Sequence, residues 1–364
     1  MTEFVTWTSW ALLALAAVMS VAATVRLPAG WARACDFPRV QIALTSIAAA
    51  SALVLFSDPW TWTHLAGVML AALAVGQQLR HILSYTRLWP KQSADTGAGA
   101  EGALKVLVSN VLKTNTKHAL LVDQISLHQP DIVVVMEVDD SWIAALRQAT
   151  GPFPYRVEVP LDNTYGIALY SKLEIDADCI TYLVRQDVPS LITTCQLANG
   201  RKVQFIALHP EPPMPHEDSL ERDAEIVLAG LIAAQEPLPT IITGDLNDVA
   251  WSHTTRRFRR ISDLLDPRIG RGMYNTFHAS FPLLRWPLDH LFHDPAFAVK
   301  SLHRLPNVGS DHFPIMFELA LLPADTDVDT TAEPVKSSDA EEANELLASV
   351  PDVKIENTGT HKVL

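Results

Sequence analysis

Three long apolar segments at the front of the chain constrain its fold most strongly. Phe4–Val25, Val40–Ser57 and Pro59–Leu79 contain no Lys, Arg, Asp or Glu. Each has about the length that an α-helix needs to cross a hydrocarbon core roughly 30 Å thick. A secretory signal peptide fits the first segment poorly, because the N-terminus is not basic and two more apolar segments follow. We therefore predict three transmembrane helices in contact with a lipid bilayer, with buried core helices as the alternative for the second and third segments.

Basic residues flank these segments unevenly. The first loop holds three arginines, the second an aspartate, and three basic residues follow the third segment (Arg26, Arg33 and Arg39; Asp58; Arg80, Arg87 and Lys91). Since basic loops stay in the cytoplasm, this bias predicts an external N-terminus and a cytoplasmic globular part. If only two helices span, the globular part changes sides.

Composition divides the rest of the chain. Residues 1–90 form the predicted membrane anchor, and 91–102, which are small and polar, are expected to be a flexible linker to a globular domain over 103–322. The tail 323–364 contains ten acidic residues and three lysines, a net charge of −7 against −13 for the whole chain. Few aromatic residues accompany that charge, so we predict a disordered tail. The acidic balance therefore says little about what the globular domain binds, and the sequence indicates no protein partner.

The three cysteines do not identify a compartment. Cys35, Cys179 and Cys195 are an odd number without the spacing of a metal site. The pair Cys179 and Cys195 leaves a disulfide open, but free buried thiols are the preferred interpretation.

Between linker and tail, short apolar runs alternate with amphipathic segments. Strands are predicted over 104–109, 132–136, 166–171, 179–184, 191–197, 203–208, 239–243, 288–292 and 314–319, and helices over 116–128, 139–149, 218–234 and 252–260. The pair Asn199-Gly200 is typical of a hairpin turn. Hairpins together with crossover helices predict a layered α/β domain with mixed sheets.

Residues Ile241–Asp248 give the most specific chemical signal. A β-branched run ends at Gly244 and then presents Asp245 and Asn247, two residues apart. Positions i and i+2 of an extended chain share a face, so a carboxylate and a carboxamide point the same way. This pair suits a hard divalent cation beside a phosphate or water, although a strand ending in an Asx-turn has the same sequence.

Matching polar groups stand at other strand ends, at Asn110, Glu137, His209, Asp289-His290 and Asp311-His312. A carboxylate after five apolar residues, as at Glu137, needs solvent, a partner or a cation. In either Asp-His pair, an acid that orients a histidine would provide a general base. Taken singly, each of these residues could instead be a turn residue, a cap or a satisfied core group.

This ordered set resembles the endonuclease/exonuclease/phosphatase superfamily, which includes DNase I-like nucleases, and the apolar front end together with 247–255 resembles its bacterial membrane-anchored branch. The resemblance covers about 104–319. It implies a four-layer α/β sandwich, in which two mixed β-sheets are flanked by helices, and a Mg²⁺-dependent phosphoester hydrolase, with Mn²⁺ as an alternative ion. It also implies a bacterial inner-membrane location.

The resemblance also implies roles for individual residues. Glu137 and Asn110 would bind the metal, with Asp311 completing the metal site or its hydrogen-bond shell. Asp245 and Asn247 would orient water and phosphate, His312 would be the general base steadied by Asp289, and His209 would contact the phosphate or the leaving group. Whether the Asp245-type or the His312-type residue activates water stays open. Tyr170 also matches a family strand, but a core position is preferred for it.

The substrate is constrained only by charge and location. Arg256 and Arg257 belong to a dense basic cluster that would suit a polyanion or an anionic lipid surface, and a solvated helix face is the alternative. Nucleic acid is slightly favoured over phospholipid, since no insertion for a lipid tail is evident. A phosphodiesterase or nuclease is thus expected first, a phospholipid or sphingomyelin-type phosphodiesterase second, and a catalytically silent membrane scaffold third.

Overall fold

This computed structural model of the protein describes residues 2–25, 28–56, 61–96, 103–176, 178–214, 216–323, 326 and 333–351. The chain divides into two compact units. One comprises Met1–Pro90 with Pro213–Ser219, and the other comprises Lys91–Pro212 with Leu220–Leu364.

The first unit contains the apolar segments as helices. They are α1 (Thr2–Ala22), the short α2 (Gly30–Ala34), α3 (Arg39–Phe56) and α4 (Trp62–Ile82). The three long helices are apolar enough to cross a membrane by length and composition, as predicted. Arg26 and Asp58, which contributed to the predicted orientation, lie outside the described residues, and the side of the membrane on which the globular part lies stays a prediction.

A buried polar chain connects the three long helices. The Arg39 guanidinium pairs with Asp36 and donates to Oε1 of Gln78 over 3.0 Å. Nε2 of Gln78 in turn donates to Oγ of Ser20 over 2.7 Å. Polar groups among apolar helices are costly unless they are paired, so this chain satisfies them and fixes how α1, α3 and α4 pack.

The second unit alternates strands and helices. The strands are β1 (Leu104–Asn110), β2 (Ile132–Met136), β3 (Tyr155–Val159), β4 (Ile167–Ser171), β5 (Glu174–Ile175), β6 (Ile180–Thr181), β7 (Ser190–Gln196), β8 (Lys202–Leu208), β9 (Thr240–Asp245), β10 (Asp289–His293), β11 (Phe297–Arg304) and β12 (Ile315–Leu321). The helices are α5 (His118–His128), α6 (Asp140–Ala149), α7 (Leu220–Gln235), α8 (His253–Ser262) and α9 (Ser337–Ser349).

The strands form two mixed sheets, as predicted. The first has the order β11-β12-β1-β2-β4-β3, and the second has the order β10-β9-β8-β7-β5 with β6 also paired to β7. Each sheet contains one parallel pair, β1 with β2 and β8 with β9.

Helices cover both outer faces, which gives the predicted four layers. Val106 faces the core between the sheets, whereas its neighbour Leu107 faces α5 and α6 on the outer side. Ile242 and Phe292 of the second sheet pack against α7, α8 and α9. Strands that are buried on both faces read as continuous apolar runs, which is why β2 and β9 were recognisable in the sequence.

Some predicted elements are wrong in extent. The strand predicted over 179–184 is only the two residues Ile180–Thr181, and the helix predicted from 116 begins at His118. The strands β3, β5 and β11 were not predicted. Tyr155–Val159 alternates with charge and is only partly buried, and β5 has only two residues. Cys179 and Cys195 are buried free thiols, which agrees with the preferred interpretation.

The expectation of a flexible linker is wrong for residues 91–96. Gln92 and Ser93 are buried. Oε1 of Gln92 accepts hydrogen bonds from Arg259 and from the Asp266 backbone, at 3.2 and 3.0 Å. A short polar segment is ordered here because its side chains satisfy buried donors of the globular unit. Residues 97–102 lie outside the described residues.

The expectation of a disordered tail is wrong for Ser337–Ser349, the helix α9. Ala343, Leu346 and Leu347 join the apolar cluster beneath α7 and α8. Asp339 is buried and forms a bidentate pair with Arg260, at 2.7 and 2.6 Å. The high net charge of the tail suggested disorder, but the tail contains one amphipathic helix that pairs with a specific arginine. Residues 352–364 lie outside the described residues.

Candidate active site

The two parallel strand pairs bring four predicted residues to one edge of the sandwich. Asn110 ends β1 and Glu137 follows β2, while His209 follows β8 and Asp245 ends β9. Carboxyl ends of parallel neighbours lie side by side, so each sheet contributes two of these residues. Asp289, the first residue of β10, lies opposite Asp245 in the antiparallel register.

Backbone geometry at these strand ends requires unusual residues. Gly244 has a φ of +142°, and a Cβ there would lie 1.8 Å from the carbonyl oxygen of Leu208. Glycine therefore lets β9 approach β8 closely just before Asp245. Glu137 and Asn247 adopt left-handed φ values of 63° and 50°. Such conformations cost about 1–3 kcal/mol and concentrate at functional sites.

The Asn110 amide joins carboxylates from both sheets. Its Nδ2 donates to Oε1 of Glu137 over 2.9 Å and to Oδ2 of Asp245 over 3.1 Å. The other oxygen of Glu137, Oε2, accepts from the backbone N–H of Lys113 over 3.0 Å. The two acids are thus held on either side of one buried amide.

His312 links two further carboxylates. Its Nδ1–H donates to Oδ2 of Asp289 over 2.8 Å, and its Nε2 lies 3.5 Å from Oδ2 of Asp245. Burial by itself lowers the pKa of His312. The negative charges of Asp289 and Asp245, with the hydrogen bond that His312 donates to Asp289, outweigh burial and raise that pKa to about 10. His312 therefore carries a proton at neutral pH.

The pKa values of Asp245 and His209 are also shifted from their ordinary values. Burial raises the pKa of Asp245 to about 7, with a further contribution from Asp289. Burial and the nearby His312 lower the pKa of His209 to about 4, so His209 is neutral at pH 7. Nε2 of His209 lies 3.9 Å from Oδ2 of Asp245. The site thus combines one protonated histidine, one neutral histidine and an acid poised near neutrality.

The donor set fits a hard divalent cation with a phosphate. Half-buried Glu137 offers a carboxylate oxygen beside the Asn110 amide. Asp245, Asp289 and His312 form a buried group whose ligand atoms lie within 4.8 Å of one another, and there protonated His312 can donate to a phosphate oxygen but cannot bind the cation. Oδ1 of Asp289 and Nδ1 of His209 are buried without a hydrogen-bond partner. Orphaned polar atoms of this kind require a further group in the complete site. Oxygen-rich sets with few carboxylates suit Mg²⁺ better than Zn²⁺.

Asn247 and Asp311 occupy less central positions than expected. Nδ2 of Asn247 donates to the carbonyl of Pro210 over 2.9 Å, and its backbone N–H donates to Oδ1 of Asp245 over 2.9 Å. The Asp311 carboxylate accepts from the hydroxyl of Ser310 over 3.3 Å and is not among the three clustered ligand groups. Its expected role at the metal site or in the surrounding hydrogen-bond shell stays a prediction.

Three arginines of the basic cluster are buried against acidic or polar partners inside the protein. Arg257 is buried and lies 3.6 Å from Glu342 of α9. Arg259 and Arg260 are also buried and pair with Gln92 and Asp339. The substrate-binding expectation is wrong for Arg257, because folding of α9 provides an internal acidic partner. Arg256 is half-buried, and its role stays a prediction.

Several residues that contact the site residues could not be predicted from the sequence. The Phe277 ring packs on the His312 ring with centroids 4.9 Å apart. Oγ1 of Thr276 accepts from the backbone N–H of Asp289 over 3.2 Å. Buried Arg222 donates to the carbonyl of Asn247 over 2.9 Å. These residues lie far from their partners along the chain, so only tertiary structure reveals them.

Comparison with known proteins agrees with this fold. No curated protein sequence matches this chain. Among solved structures, D. rerio TDP2 in complex with a single-strand DNA product is 18% identical, with a TM-score of 0.50 over 60% of this chain and 99% of that one. The human Nocturnin catalytic domain with a bound sulfate anion is 17% identical, with a TM-score of 0.50 over 65% and 98%. At these identities the likeness establishes the fold.

An endonuclease/exonuclease/phosphatase protein from Beutenbergia cavernae is 20% identical, with a TM-score of 0.50 over 62% of this chain and 73% of that one. The sequence model of the Endonuclease/Exonuclease/phosphatase family matches residues 106–312, which is more than half of the chain. The match begins in β1 and ends at His312, so it encloses every site residue described above. The chain therefore belongs to the endonuclease/exonuclease/phosphatase family, whose members hydrolyse phosphoester bonds.

Proposed function

We propose that this protein is a membrane-anchored, Mg²⁺-dependent phosphodiesterase. The observation that carries the proposal is the convergence of Asn110, Glu137, His209, Asp245, Asp289 and His312 at one edge of the two sheets. Three apolar helices in the same chain support anchoring in a bilayer, and we place the protein in the bacterial inner membrane with its catalytic unit in the cytoplasm. A silent scaffold would have no use for the buried, mutually hydrogen-bonded acids and histidines.

Glu137 and Asn110 would hold the metal ion. When bound, such an ion neutralises phosphate charge and stabilises the departing oxygen, and Mn²⁺ could replace Mg²⁺. The Asn110 amide fixes the rotamers of both neighbouring carboxylates, which leaves the second lone pairs of Glu137 available.

Proton transfer would be divided between Asp245 and His312. Asp245, with its pKa raised to about 7, can accept a proton from the attacking water. His312, held by Asp289, is already protonated and would donate a hydrogen bond to a phosphate oxygen. Neutral His209 would donate to another phosphate oxygen or serve the leaving group. Asn247 would shape the loop that orients the phosphate.

The substrate is a phosphodiester, with phospholipid as the favoured class. Nucleic acid was slightly favoured because the sequence shows no evident insertion for a lipid tail. The arginine cluster suited either substrate class, and Arg257, Arg259 and Arg260 are internal. The apolar helices would hold the catalytic unit beside lipid. Nucleic acid stays the alternative, and D. rerio TDP2, which has the same fold, is complexed with a single-strand DNA product.

Hydrolysis of bis-p-nitrophenyl phosphate by the purified full chain in lipid nanodiscs tests the proposal. We expect turnover with Mg²⁺ or Mn²⁺, and loss of turnover when the metal is chelated. Glu137→Gln should raise the Mg²⁺ concentration for half-maximal rate about ten-fold or more. The exposed Glu174→Gln change is the matched control. An inactive wild-type chain at all metal concentrations contradicts the hydrolase assignment, and an unchanged metal requirement in Glu137→Gln removes Glu137 from the metal site.

A further inference from the structure

A cluster of large apolar side chains is exposed on the second unit. In the loop Ser280–Leu284, hereafter the apolar loop, Phe281, Leu283 and Leu284 are 57%, 82% and 49% exposed. The remaining members, Ser280 and Pro282, are also exposed. Contiguous exposed apolar side chains mark interaction surfaces, whereas scattered ones do not.

The apolar loop begins directly beside the proposed catalytic histidine. Phe277, three residues before the loop, packs on His312. The backbone N–H of Ala279 donates to the carbonyl of Asp311 over 2.6 Å. These contacts fix the base of the loop to the strand entrance that carries His312. Whatever surface the loop binds is therefore held next to the site.

The loop is shaped to present its tip. The backbone N–H of His278 donates to the carbonyl of Leu284 over 3.0 Å, and that of Leu284 donates to Phe281 over 2.9 Å. The His278 and Phe281 rings meet edge to face with centroids 4.7 Å apart. Internal hydrogen bonds satisfy part of the backbone, which lowers the cost of placing the tip in an apolar phase.

Two cations flank the base of the loop. The guanidinium groups of Arg285 and Arg304 lie over the Phe313 ring, 4.9 and 4.3 Å from its centroid. Arg304 is exposed and Arg285 is half-buried. Arginines beside an apolar tip are the pattern of an element that enters the lipid interface while pairing with anionic headgroups.

We propose that the apolar loop inserts into the bilayer surface and presents a membrane phospholipid phosphodiester to His312. The inference rests on the proposed phosphodiesterase function. The lipid surface is the partner of the apolar loop, because apolar and cationic groups adjoin there and because the same chain carries helices that could cross a membrane. A nucleic acid would use the two arginines but would not bury the three exposed apolar side chains in an apolar phase.

Depth-dependent quenching tests the insertion without any need for catalysis. Leu283→Cys carrying an environment-sensitive fluorophore is placed in the full chain with Cys35→Ser, in nanodiscs of phosphatidylcholine and phosphatidylglycerol. We expect quenching by brominated acyl chains at position 283 and none at the matched exposed turn position, Asn199→Cys. Equal quenching at both positions, or none at 283, overturns the insertion even if the protein proves to be an active hydrolase.

Hydrolysis assays then test the substrate class. The triple change Phe281→Ser, Leu283→Ser and Leu284→Ser should leave the rate on soluble bis-p-nitrophenyl phosphate within about two-fold. It should lower the rate on phospholipid vesicles about ten-fold or more, since each buried apolar side chain contributes about this much to partitioning. Arg304→Gln should weaken the preference for anionic vesicles.

The outcomes separate the two proposals. No wild-type activity on any phosphodiester rejects the function but leaves the quenching result standing. Wild-type activity on single-stranded DNA alone, with a loop variant impaired on DNA, assigns the loop to nucleic acid and overturns the lipid inference. Equal vesicle rates for wild type and the triple variant overturn it as well.

Discussion

The two Asp-His dipeptides have the same sequence, but they contribute different residues to the site. In Asp289-His290 the acid faces the site, while His290 points away and accepts from Arg268 over 2.7 Å. In Asp311-His312 the histidine faces the site, and the Asp311 carboxylate accepts a hydrogen bond from the hydroxyl of neighbouring Ser310. Adjacent residues of an extended chain point to opposite sides, so each pair can supply only one group.

The working acid–histidine unit is therefore assembled across the fold. Asp289 from one strand entrance binds His312 from the other, 23 residues apart. His290, which does not face the site, has a structural role. His290 Nε2–H donates to the carbonyl of Asp248 over 2.9 Å, which ties β10 to the loop after Asp245. Substitutions at the four positions should therefore separate catalysis from stability.

The largest effect is expected at His312. His312→Gln keeps a polar side chain but removes the charge beside the phosphate, so turnover should fall about 10²–10⁴-fold. Thermal unfolding should change little compared with wild type. Exposed His303→Gln is the matched control and should be silent. Retention of more than about a tenth of the rate would show that His312 has no proton-related role.

Asp289→Asn should come next, with a fall of about 10²-fold at the optimum pH. Asp289 raises the pKa of His312, so its removal lowers that pKa. The protonated form of His312 is then lost at a lower pH, and the alkaline limb of the pH–rate profile should move toward neutrality from about pH 10. A profile with the same alkaline limb but reduced height would mean that Asp289 acts only on folding.

His290→Phe should affect stability more than chemistry. It leaves the Asp248 carbonyl and an Arg268 N–H without their partner, which costs about 1–3 kcal/mol of unfolding free energy. Burial and Arg268 lower the pKa of His290 to about 3. The unfolded chain takes up a proton below about pH 6.5, so the contribution is complete above that pH and declines toward pH 3.

Chemical denaturation at two pH values measures this difference. The deficit of His290→Phe should be larger at pH 8 than at pH 5, while its turnover at low temperature stays within a few-fold of wild type. A deficit that is the same at both values would indicate that His290 is not held neutral in the folded protein.

The smallest effect is expected at Asp311. Its carboxylate accepts one hydrogen bond, from Ser310, and Asn can accept the same bond. Asp311→Asn should therefore change turnover and the Mg²⁺ requirement less than about two-fold. A ten-fold rise in the metal requirement would restore Asp311 to the metal site.

Sequence alone predicted the parts that local chemistry determines. The apolar runs of β2 and β9 and the polar residues at their ends were recognisable, and so were Glu137 and Asp245 as a pair at one edge. Gly244 was recognisable as a strand end, although its close approach to Leu208 was not. The β-sandwich followed from the resemblance carried by these residues.

The features that the sequence did not predict depend on contacts between residues far apart in the chain. The arginines of α8 suggested a polyanion because their acidic partners, in α9, lie about 80 residues further on. The same separation made the tail seem disordered. The apolar loop was missed because Phe281–Leu284 reads like any short buried run, and only the fold shows that it is exposed beside His312.

The amide of Asn110 has one more consequence. This single side chain lies where the two sheets, the two halves of the sandwich, meet, and it donates a hydrogen bond to one acid from each sheet. A shift of one sheet relative to the other by about 1 Å would break these two hydrogen bonds. The apolar core would still be packed at that point. Enzymatic rate should thus decay at milder heat or denaturant than the spectroscopic melting of the protein, so that the active centre acts as a gauge of how well the halves are aligned.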